Sequence, residues 1–155
     1  MIKYCLNKWE KNSAILEHAL RTETGLNKCN YKKLVEMVTI FILNDGTDEN
    51  NYISERWNAD KITEIDNGDC QGTLIYLIPA DSYQPCEHEY LMTYVGYGSC
   101  SGCDTLQAIQ SWGDKLLTDE QVKDFMTLCR DIVSNIIKPY NTGWRESKDY
   151  EAVEG

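Results

Sequence analysis

Apolar positions recur along this chain with two periods, three-to-four and two, and the changes of period mark its elements. From Asn7 to Arg21 the residues Trp9, Ile15, Leu16, Ala19 and Leu20 fall partly at helical spacing, and Gly25 follows as a stop, which predicts an amphipathic helix. Asn30 is placed to cap a second helix from Tyr31 to about Leu43, with Leu34, Val35, Val38, Phe41 and Ile42 on one face and Asn44-Asp45-Gly46 at its end. Its β-branched content makes a strand the alternative. Residues 44–60 are polar and acidic and follow no period, the pattern of a surface loop anchored by Tyr52, Ile53 and Trp57. Lys61 to Asp66 then alternates, Asn67-Gly68 is the favoured pair for a tight hairpin turn, and Gln71 to Ile78 is apolar on both parities. The second of these strands is therefore predicted to be central and covered on both faces. Tyr90 to Val95 makes a third strand. Asp104 can cap a short helix, Thr105 to Ile109. Thr118 and Gln121 have capping-box spacing and open the strongest helix, in which Val122, Phe125, Met126, Cys129, Ile132, Val133, Ile136 and Ile137 repeat until Pro139.

The order α-α-β-β-β-α-α predicts an α+β fold, a three-stranded antiparallel meander packed with helices. Residues 1–139 read as one domain and 140–155 as a polar tail in which Trp144 is the apolar exception. At 155 residues the chain is long enough to bury about two thirds of its unfolded surface. The order includes the αβββα arrangement of double-stranded-RNA-binding domains, but the last helix opens with Asp119 and Glu120 where lysines would be needed to grip phosphates.

Charge narrows the classes further. Fifteen Lys and Arg against 25 Asp and Glu give a net charge of −10, which disfavours a chain-wide nucleic-acid surface, so no direct nucleic-acid binding is expected. No apolar run reaches bilayer length and the N-terminus has no signal-like core, so no membrane contact and a cytoplasmic location are expected. Seven cysteines, an odd number at irregular spacing, suit free thiols or a metal better than a disulfide framework.

Cys100-Ser101-Gly102-Cys103 is a CxxC between a strand and a helix, a setting that can make one thiol reactive. A thioredoxin-like fold would need further strands and a cis-proline after the motif, and here helix follows. For zinc, the set Cys86, His88, Cys100 and Cys103 is split by the length of the third strand. If position 78 pairs near 89, then Cys70 falls near 97, and Cys70, Cys100 and Cys103 become the better metal cluster. Zinc is the one cofactor so implied; otherwise none is expected. A tight turn with two small buried thiols is the plainer reading of the motif. His18 and His88 have no serine elbow or base beside them, phosphate-loop and dinucleotide signatures are absent, and no catalytic residue is assigned.

The acids gather in sequence. Asp119, Glu120 and Asp124 line the start of the last helix, Asp45, Asp48, Glu49 and Glu55 lie in the long loop, and Glu64, Asp66 and Asp69 surround the hairpin turn, the loop and hairpin groups being the leading candidates. With Tyr52 and Trp57 as anchors, these residues form the candidate surface for a basic partner.

The segments Asp66-Asn67-Gly68-Asp69-Cys70-Gln71-Gly72-Thr73-Leu74-Ile75-Tyr76-Leu77-Ile78 and Tyr94-Val95-Gly96-Tyr97-Gly98-Ser99-Cys100-Ser101-Gly102-Cys103-Asp104-Thr105-Leu106-Gln107 resemble a family of small phage and prophage proteins of Gram-positive bacteria. The resemblance covers the middle third of the chain. It implies a mobile-element origin and carries over no catalytic residue. The leading expectation is a non-catalytic acidic protein that occupies a host protein with a basic nucleic-acid-binding surface, such as a defence factor, in the manner of an anti-CRISPR inhibitor or nucleic-acid mimic. The alternatives are a small zinc or thiol-redox protein using Cys70, Cys100 and Cys103, and a phage assembly accessory.

Overall fold

A computed structural model of the chain describes residues 1–46, 56–68, 71–82, 84–86, 88–99, 102 and 104–138. The elements are α1 (Ile2–Thr22), α2 (Tyr31–Met37), β1 (Thr63–Gly68), β2 (Gly72–Pro79), β3 (Tyr90–Tyr97), α3 (Thr105–Ile109) and α4 (Asp119–Ser134). The fold is α+β, with the predicted element order.

The first helix begins at Ile2, ahead of the Asn7 start expected from its apolar stripe, and the stripe contains a polar member. Cys5, Asn12, Leu16, Ala19 and Leu20 are its buried residues. Asn12 is tolerated there because its amide donates to the Ile42 carbonyl (2.8 Å) and to Asp45 (2.6 Å). Asn30 caps α2 as predicted, accepting from the Lys33 amide. The α-helix gives way at Val38 to a π-helical stretch, Val38–Leu43, where the Thr39 hydroxyl bonds back to the Val35 carbonyl at 2.8 Å. It ends where Asp45 (φ 59) and Gly46 (φ 74) enter the left-handed region.

The sheet order is β1-β2-β3, antiparallel throughout. Asn67-Gly68 is not the hairpin turn: both residues are still in β1, with Asn67 opposite Thr73 and Gly68 opposite Gly72, so the ladder continues through the predicted turn pair. The two glycines approach too closely for side chains. A Cβ on Gly68 would lie 2.3 Å from the Gln71 carbonyl oxygen, and one on Gly72 would lie 2.7 Å from that of Asn67. Ile78 pairs with Leu91, two residues from the register expected from the sequence, and Gly72 pairs with Tyr97.

One face of the sheet meets the helices. Tyr76, Ile78, Leu91 and Val95 join Leu16, Leu20, Leu34, Val35, Ile42, Val122, Phe125 and Ile132 in a single buried cluster. Thr93 fastens the centre of β3 to α4 through its hydroxyl and the Ile132 carbonyl (2.7 Å). The opposite face departs from the expectation of cover on both sides. Ile75 and Leu77 are only half-buried there, beside Ile65 and Tyr94, which are 45% and 43% exposed. After α4 the chain returns to the sheet, and Ile137 exchanges two 2.8 Å backbone hydrogen bonds with Met92. Among the described residues no helix is long and apolar enough to cross a membrane.

Candidate functional site

The structure redistributes the residues expected to bind a partner. Asp48, Glu49, Tyr52, Glu55 and Asp69 lie outside the described residues, as do Cys70, Cys100, Cys103 and the tail 139–155. Trp57 is corrected from surface anchor to core residue. It is 7% exposed, its indole N–H donates to the Tyr4 hydroxyl (3.2 Å), and both its backbone groups are taken by Asn44. The Asn44 amide donates to the Trp57 carbonyl (2.7 Å) and its oxygen accepts from the Trp57 N–H (2.8 Å), so one buried side chain forms the base that joins positions 44 and 57. Beside this base a shallow cleft lined by Ile40, Arg56, Asn58 and Asp81 holds the Arg56–Asp81 ion pair (3.4 Å).

Asp45 is corrected too, from a free acid to an internal partner of α1. Lys8 and Lys11 lie 3.1 and 3.6 Å from its carboxylate. Burial works against its charge, but the hydrogen bonds from Asn12 and Lys8 and the two ammonium groups outweigh this and hold its carboxyl below the usual range. Glu64 and Asp66 are exposed on β1 and accept from the hydroxyls of Tyr76 (2.8 Å) and Tyr97 (2.6 Å). Burial, and then the Glu64 carboxylate, push the Tyr76 phenol far above its ordinary value, so it acts as a standing donor.

Three of the described thiols, Cys5, Cys29 and Cys129, are quiet ones, whereas Cys86 is exposed. Burial pushes Cys5 and Cys29 up to about 11 and Cys129 up to about 12, which leaves negligible thiolate at neutral pH. No group of three or more His, Cys, Asp or Glu residues could hold a metal among the described residues. The described residues on either side of the CxxC are nevertheless joined by a definite device. Buried Asp104 accepts from the Gly98 amide (3.0 Å), the Gln107 amide (3.0 Å) and the Tyr31 hydroxyl (2.9 Å), so it caps α3, pins both ends of 98–104 and ties them to α2. Tyr31 in turn accepts from the Leu106 amide (3.1 Å), and burial leads the influences that push its phenol up to about 12.

Among the described residues the most exposed large apolar side chain lies where sequence reasoning assigned no role. Trp112 is 99% exposed. It stands on the connection between α3 and α4, and the turn that carries it is held by Asn27, which is 8% exposed. The Asn27 oxygen accepts from the Ser111 amide (3.0 Å), and its NH₂ donates to the Lys115 carbonyl (3.1 Å). A single side chain thereby grips both ends of 111–115. Gln121 reinforces it, donating to Asn27 (2.8 Å) and to the Ile109 carbonyl (3.0 Å), while Gln110 donates to the carbonyls of Leu26 (2.8 Å) and Cys29 (2.9 Å). Gly113 at φ +99 supplies the left-handed residue the turn requires. Buried Leu117 roots the far end, and Leu116 is 50% exposed.

Acids surround this tryptophan along the chain. Asp114 is 82% exposed and pairs with Lys28 at 2.6 Å, a hydrogen bond that holds its carboxyl below the usual range. Asp119, 86% exposed, bonds Arg21 at 2.6 Å, and Glu120 follows it in the first turn of α4, where carboxylates suit the helix dipole. The sequence held one signal for this site: a large aromatic inside the turn-forming string Ser111-Trp112-Gly113-Asp114, where no core periodicity asks for it. The Asn27 clamp had no such signal, because its partners lie 84, 88 and 94 residues away.

An indole in water on a gripped turn is chemically inert but well suited to recognition. It offers a large apolar surface with a polar N–H, and little ordering entropy remains to be lost on docking. Comparison of the chain with protein-family models, with curated proteins and with solved structures returns no match.

Proposed function

We propose that this chain is a non-catalytic binding protein that docks Trp112 into an apolar pocket on a second protein whose rim is basic. The single observation that carries the reading is Trp112, fully in water on a turn held at both ends by a buried side chain. Tryptophans are the commonest anchors of protein interfaces, and an isolated exposed one brings no folding benefit. The net charge of −10 and Glu120 in the first turn of α4 favour a basic rim and a fast, salt-sensitive encounter, while Asp114 and Asp119 are already paired with Lys28 and Arg21. Basic surfaces around pockets are characteristic of proteins that handle nucleic acids, so a host nuclease or defence factor is the partner class proposed.

The test compares two immobilised baits, the wild-type chain and Trp112→Ala, exposed to a bacterial lysate and washed at low and high salt. A basic protein retained by the wild type, lost from the variant and released by salt is the expected result. Identical retention by both baits overturns the role of Trp112.

A further inference from the structure

The sheet offers a second surface that owes nothing to Trp112. All the residues of β1 are exposed, and among the described residues β1 pairs with β2 alone, so its outer edge carries backbone donors and acceptors that no described strand takes up. The two sides of the strand differ chemically. Ile65 continues the apolar row Ile65–Ile75–Tyr94 on the uncovered face, next to the row Thr63–Leu77–Met92. Glu64 and Asp66 point to the other side, each held by a tyrosine hydroxyl and each retaining further acceptor capacity.

This alternation selects the occupant of the edge. A second copy of the chain is disfavoured: an antiparallel β1–β1 pair centred on Ile65 sets Glu64 opposite Asp66 twice, and like charges directly opposite one another destabilise a ladder. A strand that places lysine or arginine opposite these acids turns the same repulsion into attraction and lays its apolar side chains beside Ile65. We infer that β1 accepts an extended peptide segment of alternating apolar and basic residues as an added strand. Main-chain hydrogen bonds supply the attachment, and the acids and the apolar row supply register and selectivity.

The probe is an acetylated and amidated heptapeptide of alternating valine and lysine, titrated into the ¹⁵N-labelled full chain. Amide shifts concentrated on residues 63–68 are expected. Affinity should fall at least tenfold when alternate peptide amides are N-methylated, a control that leaves the protein untouched. The Glu64→Lys/Asp66→Lys variant should lose the lysine peptide and take up the valine–glutamate one, whereas Trp112→Ala should bind the lysine peptide as the wild type does. No shifts in 63–68 at millimolar peptide would overturn the inference, because the acids then serve only to repel other strands. Equal affinity for the N-methylated peptide would also overturn it, showing plain attraction of a cation to an acidic protein.

Discussion

Two tryptophans of this chain stand beside the same device and meet opposite fates. Trp57 is held by Asn44, and Trp112 rides a turn closed by Asn27; each asparagine is buried and uses both ends of its amide. Yet Trp57 is 7% exposed and Trp112 is 99% exposed. The clamp fixes where the backbone goes, and the surroundings decide where the ring goes. Trp57 is itself the clamped residue, so its ring is drawn against the core and reaches the Tyr4 hydroxyl. Trp112 lies between the clamped positions Ser111 and Lys115 but is bound by neither, and its ring stands in water. One arrangement spends its aromatic on folding and the other leaves it available.

That contrast breaks most decisively at the two rings themselves. Trp57→Ala should cost about 3–5 kcal/mol in urea unfolding, as expected for emptying a buried aromatic site. The clamps come next: Asn44→Ala and Asn27→Ala should each cost about 1–3 kcal/mol through stranded backbone groups. Asn27→Ala alone should also weaken partner capture, which separates presentation from folding. A smaller effect is expected at Asp45, whose carboxyl is held below its ordinary value of 3.8. Its stabilisation is therefore complete above that value and is lost as pH falls through the depressed one. Asp45→Asn, which keeps a residue tolerant of the left-handed region, should cost about 1 kcal/mol at neutral pH, a difference from wild type that closes under acid unfolding conditions near pH 3. The smallest effect belongs to Trp112→Ala, whose unfolding free energy should stay within about 0.5 kcal/mol of wild type while capture is lost.

Much of the fold was legible because its signals are local. The Thr118–Gln121 capping box, the Asn30 and Asp104 caps and the sequence alternation that marks β1 each depend on residues within a few positions; the caps and the strand are present, although β1 is exposed throughout. The hairpin misled for a physical reason: Asn67-Gly68 has turn chemistry, but the close approach of Gly68 and Gly72 extends the ladder past it. The buried stripes of α1 and the π-helical stretch were read incompletely because each has a polar member, Asn12 and Thr39, whose partners include backbone carbonyls that no pattern displays. The candidate site was least legible. Acids clustered in sequence include one, Asp45, that is neutralised by α1, and the two tryptophans were distinguished only by contacts 13 to 94 residues distant.

The central claim is that Asn27 sets Trp112 in place before any partner arrives. ¹⁵N relaxation of the free protein tests it at the amides of residues 111–115. The account expects order parameters of about 0.85 in the wild type, those of a rigid backbone, falling below about 0.6 in Asn27→Ala. Values already below about 0.6 in the wild type would contradict it, since the tryptophan would then sit on a loose loop that the clamp does not organise.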